Sequence, residues 1–142
     1  MTREELLSKV NALIQEWRII LRLEHWNVRA MIVRPSEITG RQATITFNSC
    51  NSLAQIQLAD PDILKTPEMW ADFHNLEKTI VHELLHLMLA GMEDIWTHVM
   101  EEISPSARSI AEKQWEIASE QPVELLAKIL TSLKGGDKDQ EV

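Results

Sequence analysis

Residues 81–87 read Val81-His82-Glu83-Leu84-Leu85-His86-Leu87, and the rest of the chain is read outward from them. The stretch spells H-E-x-x-H inside an apolar, helix-favouring run. On an α-helix residues i and i+4 share a face, one turn apart. Two imidazoles so placed can ligate one metal ion, and the carboxyl group beside the first can act on a water held there. With 5 His in 142 residues the pattern arises by chance in roughly 2% of such chains, so its setting matters. Around the helical wheel Phe73, Leu76, Ile80, Leu84 and Leu87 form one apolar stripe. His82 and His86 fall on the roughly opposite face with Asn75 and Thr79. One side of this helix is expected in the core, the other to carry donors.

The helix is expected over residues 67–90. Thr66 suits its cap, Pro67 its first turn and Glu68 its positive N-terminus, with Gly91 as the stop. Upstream, Leu6, Leu7, Val10, Leu13, Ile14, Trp17, Ile20 and Leu21 recur at helical spacing and predict a leading helix over 3–22. Alternation predicts strands over 26–33, closed by Pro35, and over 41–47, with a weaker third over 53–58. Downstream, 95–102 reads as a short helix, and 106–118 and 120–134 as one or two more. Pro122 fits either the first turn of a new helix capped by Ser119 or a kink. The expected class is α+β: a leading helix, a small, mostly antiparallel three-stranded sheet, the H-E-x-x-H helix and a C-terminal helix rich in Glu. Residues 1–134 are expected to form one domain, and 135–142, with paired glycines and charges, a flexible tail.

A catalytic zinc takes three protein ligands and keeps one position open. A third donor must therefore come from downstream, and no third His follows the pair at short spacing. His98 is the only later His, and Glu116, Glu120 and Glu124 are among the acids that compete with it. Glu120 is favoured because it borders the apolar stripe Val123, Leu126, Ala127 and Leu130. Glu124, one turn on, is placed to hydrogen-bond a ligating His.

With those residues the chain resembles the gluzincins, zinc peptidases whose third ligand is a Glu on a separate helix. It is most similar to the small minigluzincin and ImmA/IrrE-like peptidases of phage and mobile elements. The residues that carry the resemblance are His82-Glu83-Leu84-Leu85-His86 and Glu120-Gln121-Pro122-Val123-Glu124-Leu125-Leu126-Ala127. It implies a zincin-like fold and a peptide-bond hydrolase in which His82, His86 and Glu120 hold Zn²⁺. Glu83 would act as general base and then acid, and Glu124 would support a ligand. It also implies an edge strand, 41–47 or 53–58, that holds an extended peptide or protein substrate. One departure stands out: gluzincins commonly use a Tyr or His toward the oxyanion, and this chain has no Tyr. His25, His74 and His98 remain, none in a matching motif.

Composition narrows the alternatives. The net charge of −8 disfavours nucleic acid and anionic membranes as partners. No run of 18 apolar residues is present, no targeting segment is evident, and one cysteine allows no internal disulfide, so a reducing, cytoplasmic setting is expected. Cys50 is expected to be a buried structural residue, and the five Trp mostly packing residues. Arg18, Arg22, Arg29 and Arg34, interspersed with acids, read as a solvated face. Two other functional readings remain: a non-catalytic module stabilised by metal, and an interaction protein whose motif is coincidental. Glu83 argues against the first, since a structural site does not need that acid.

Overall fold

A computed structural model of the chain describes residues 2–39, 41–62 and 73–140. Helix α1 (Arg3–Ile20) opens on a capping box, in which the Glu5 N–H donates to Thr2 Oγ1 at 3.2 Å and the Thr2 N–H to Glu5 Oε2 at 2.9 Å. It buries Leu6, Val10, Leu13, Ile14 and Trp17. The helix ends two residues short of the expected 22, because Arg22 turns left-handed with φ 59°.

Strands β1 (Asn27–Val33), β2 (Ala43–Asn48) and β3 (Leu53–Ala59) form one sheet in the order β1-β3-β2. A 3₁₀ turn, Pro35–Ile38, separates β1 from β2. β2 and β3 pair antiparallel, with Ile45 opposite Ile56, whereas β1 and β3 pair parallel, with Ala30 opposite Ile56. The sheet is therefore mixed, where a mostly antiparallel one was expected. Pro35 and the 3₁₀ turn prevent a tight hairpin after β1, so the chain crosses to the far edge and returns down the middle. The strand with the weakest alternation takes the centre: Ala54, Ile56, Leu58 and Ala59 of β3 are all buried. Cys50, expected inside, is exposed in the reversal between β2 and β3, where its N–H donates to Asn48 Oδ1 at 3.0 Å.

Helix α2 (Phe73–Met88) lays Leu76, Ile80, Leu84 and Leu87 into the core against α1 and the sheet, each at most 1% exposed. Thr66, Pro67, Glu68 and Trp70 lie outside the described residues. Gly91 does not stop this helix. The break falls at Leu89, and Gly91 sits in the first turn of α3 (Ala90–Glu101). One helix, α4 (Pro105–Gln140), then replaces the one or two expected, and runs through Pro122 and Gly135. Pro122 removes the N–H that would bond the Ala118 carbonyl, but both residues are exposed, so that oxygen is open to solvent. Ser119 does not start a new helix: its hydroxyl donates back to the Glu116 carbonyl at 3.3 Å. Val123 and Ala127, both buried, hold the segment against the core cluster.

A buried carboxylate joins three helices. Glu77 on α2, 7% exposed, accepts from Trp17 Nε1 at 2.9 Å and from Lys134 of α4. The Lys134 ammonium also meets Glu16 Oε1 at 2.9 Å and lies over the Trp17 ring, 5.1 Å from its centre. Hydrogen bonds to a charged group contribute about 1.5–3 kcal/mol, and an orphaned donor adds a desolvation cost. Glu77→Ala is therefore expected to lower unfolding free energy by about 2–3 kcal/mol in urea titrations.

A second ion pair ties the N-terminus to the sheet. Asp60, directly after β3 and 2% exposed, accepts from Arg3 and from the Asp62 N–H at 2.9 Å. The hydrogen bond from Arg3 holds its carboxyl below the ordinary value of 3.8, against the opposing effect of burial. A depressed carboxylate stabilises the fold above its unfolded pKa, and the contribution is lost as pH falls through the folded one. Asp60→Asn is expected to remove part of the acid-induced loss of stability below about pH 4 and to lower stability at pH 7. Thermal melts across this pH range test both.

Candidate metal centre

The polar face of α2 faces α4. His82 and His86 project from it one turn apart, and Glu120 and Glu124 meet them from α4, again one turn apart. The register is set by packing, since Leu84 and Leu87 are locked in the core on one side and Val123 and Ala127 on the other. Glu120 Oε2 is 3.1 Å from His82 Nε2, and its Oε1 is 3.0 Å from His86 Nε2. The two Nε2 atoms are 3.3 Å apart. Ligand atoms of His82, His86 and Glu120 all lie within 4.8 Å of one another, so this group can hold a metal ion.

The outer nitrogens are also partnered. His82 Nδ1 lies 2.8 Å from Glu124 Oε2. An N–H donated there leaves the Nε2 lone pair pointing at the cluster, the tautomer that metal ligation requires. Burial pushes the Glu124 carboxyl up, but the His82 hydrogen bond and the Lys78 charge at 3.5 Å outweigh it and hold it low. His86 Nδ1 faces Glu93 Oε1 of α3 at 4.0 Å, longer than a direct hydrogen bond. Burial lowers the His86 pKa, which favours the neutral, ligating form, although the Glu120 charge opposes this. Burial also raises the Glu93 carboxyl, aided by Asp94 and Glu120.

Among the described residues Glu83 is the most perturbed acid. It is 7% exposed, and burial followed by the charge of Glu120 pushes it up to about 8, with Arg41 opposing. It borders a cleft of about 580 Å³ between β2 and α4, whose walls include Ile45, Phe47, Glu93 and Trp115. Helix α3 closes one end of the region. Ser49 Oγ donates to Asp94 Oδ2 at 2.6 Å, and Trp96 stacks on Trp115 at 5.0 Å and 16°.

Two of the competing third ligands do not meet the histidines. Glu116 is exposed and pairs with Arg41 at 3.6 Å, and His98 is exposed beside Glu101 at 4.0 Å. His25 packs on Trp26 at 5.9 Å, and the His74 side chain lies outside the described residues. Of the Trp residues, Trp17 and Trp26 are core. Trp96 and Trp115 are half-buried at the cleft. Arg41 and Trp115 were not singled out as site residues in the sequence, and Glu93 entered only as one of several competing acids, because nothing local distinguishes them from neighbouring helix-face charges and packing aromatics.

No protein family, curated protein or solved structure matches the chain. No helix among the described residues is long and apolar enough to cross a membrane. The donor chemistry must therefore be judged from these residues alone. Two imidazoles and one carboxylate, with the outer nitrogen of one imidazole hydrogen-bonded and no cysteine nearby, fit a borderline divalent ion such as zinc.

The electrostatics predict a pH signature. A carboxyl whose folded pKa lies above its ordinary 4.5 is destabilising wherever the unfolded group would ionise, so stability falls as pH rises from 4.5 toward 8. Glu83→Gln is expected to raise the melting temperature of chelator-treated protein at pH 8 by a few degrees, with the gain disappearing toward pH 4. Calorimetry in excess chelator reads this directly.

Proposed function

We propose that the chain is a zinc-dependent peptidase that hydrolyses peptide bonds, with His82, His86 and Glu120 as ligands and Glu83 as general base. The observation that carries the reading is Glu83 itself, a buried acid with no hydrogen bond or ion pair to the described residues, adjoining a two-His, one-Glu cluster on the wall of a cleft. A zinc ion held there would supply a Lewis acid and lower the pKa of a coordinated water toward neutrality.

The chain's own groups do the rest. With a cation among the ligands, the ionised form of Glu83 would be favoured against burial and the Glu120 charge, and its carboxylate could accept a proton from the attacking water. The same group then returns a proton to the leaving amine. Glu124 holds the His82 ring in its ligating tautomer. Of the two candidate strands, β3 is paired on both sides, while β2 is a sheet edge and borders the cleft. An extended peptide can add to that edge through backbone hydrogen bonds.

The chain has no Tyr, and His98 lies away from the cluster, so the usual side-chain donors to an oxyanion are missing among the described residues. A lost donor of this kind costs about 10²–10³ in turnover, so slow hydrolysis is expected. The same observation favours a second reading, a metal-stabilised module that works by protein–protein contact.

Elemental analysis of the purified protein is expected to find one zinc per chain, lost in Glu120→Ala. Glu124→Ala should retain it with about 10–100-fold weaker affinity. Glu83→Gln should keep zinc and lose cleavage of a proteome-derived peptide library by at least about 10²-fold. Absence of zinc after supplementation, or undiminished cleavage by Glu83→Gln, would sink the peptidase reading. Zinc without any cleavage selects the module.

A further inference from the structure

The cleft over the metal cluster continues past it. A second cavity of about 440 Å³ adjoins the 580 Å³ one, and both have Arg41, Ala43, His82 and Glu83 in their walls. Arg41 therefore stands where the two meet, two residues before the start of β2. Its charge acts on both Glu83 and His86. Among the described residues lining the larger cavity, Glu83, Glu93, Glu116 and Glu120 are acidic and Arg41 is the one Lys or Arg. Lys78, in the adjoining cavity, is engaged by Glu124 at 3.5 Å. A carboxylate drawn along β2 thus meets four acidic side chains in the larger cavity and a single guanidinium.

The guanidinium is available for it. Its contact with Glu116 is a single approach of 3.6 Å, longer than a hydrogen bond, between side chains 56% and 63% exposed. Exposed pairs of this geometry are weak. A planar guanidinium presents two parallel N–H groups that match both oxygens of a carboxylate, a fit Lys cannot reproduce. Glu116, reaching across from α4 with one oxygen, occupies that fork only partly and can be displaced.

Resting on the peptidase reading, we propose that Arg41 is a specificity-determining residue that anchors a substrate carboxylate beside the bond to be cleaved. The carboxylate is an Asp or Glu side chain or the free C-terminus of the peptide. Arg41 acts in binding and does not take part in proton transfer. The substrate class is then a peptide with an acidic group at a set distance from the scissile bond, selected against the acidic background of the cleft.

The test uses zinc-loaded Glu83→Gln protein, which binds without turnover, and reads tryptophan fluorescence, to which Trp115 in the cleft wall contributes. The probes are short Ala/Ser/Thr peptides with one Glu at successive positions and their Gln counterparts, each as free acid and as C-terminal amide. Binding is expected to be on the order of tenfold tighter for peptides with the correctly placed carboxylate. A preference that follows the Glu position assigns the side chain, and one abolished by amidation assigns the terminus.

Adding Arg41→Ala should bring the ratio of charged to neutral affinities close to one, and Arg41→Lys should retain part of it. Adding Glu116→Gln should increase the preference, because the competitor is gone. If the pair were only a strut between β2 and α4, Arg41→Ala and Glu116→Gln would act alike, and that result overturns the proposal. It is equally overturned by equal binding of charged and neutral probes, or by a preference that survives Arg41→Ala. Cleavage of the same peptides by the wild-type protein separates the two ideas. Cleavage without charge preference removes the role of Arg41 alone, whereas preference without cleavage removes the peptidase reading and leaves the anchor.

Discussion

Helix α2 is covered on both sides, and the two sides make opposite demands. Its apolar face buries Leu76, Ile80, Leu84 and Leu87, each contributing about 1.5–3 kcal/mol of hydrophobic stabilisation. Its polar face is pressed against α4, where buried donors and acceptors must find partners or pay a desolvation cost. The partners come from one turn of α4, Glu120 and Glu124, while Val123 and Ala127 between and beyond them pack on the core. Packing thus sets the register of α4, and the register places the carboxylates. The site is a by-product of how the two helices must fit.

The cluster so formed is electrostatically unbalanced when only the protein is counted. Glu83, Glu93 and Glu120 share a small volume with two imidazoles, and burial with mutual repulsion raises the acids Glu83 and Glu93. A divalent cation held there would relieve several of these interactions at once and so would couple metal affinity to folding. The Trp17–Glu77–Lys134 group is the contrasting case. It is also buried and also joins helices, but its charges and donors are matched within the protein and need nothing added.

The two ends of the cleft are built differently. Near α3 the wall is aromatic and acidic, with Trp115 and Glu93, and the hairpin turn is tied to that helix through Ser49 and Asp94. Toward the start of β2 it is polar and carries Arg41 beside Gln42 and Thr79. An extended chain lying along the free edge of β2 meets this gradient in order, so the cleft has a direction as well as a shape.

Local pattern determined much of this protein. The period of 3.6 around His82 and His86 and the alternation in β1 and β2 are properties of neighbouring residues, and they were legible in the amino-acid order. So was the pairing of an i, i+4 acid couple, Glu120 and Glu124, with an i, i+4 His couple, because both helices share one pitch. Tertiary structure decided what depends on distant partners. β3 became central, and β1 parallel to it, because of how the chain crosses after Pro35. Pro122 stayed inside α4 because its freed carbonyl faces water while Val123 and Ala127 face the core. Glu120 rather than Glu116 met the histidines, because on the same face of α4 one turn carries a residue about 6 Å along the axis, from the cleft's rim to its centre. Arg41, Glu93 and Trp115 converge on the site from three separate elements, and no spacing in a linear chain encodes that convergence.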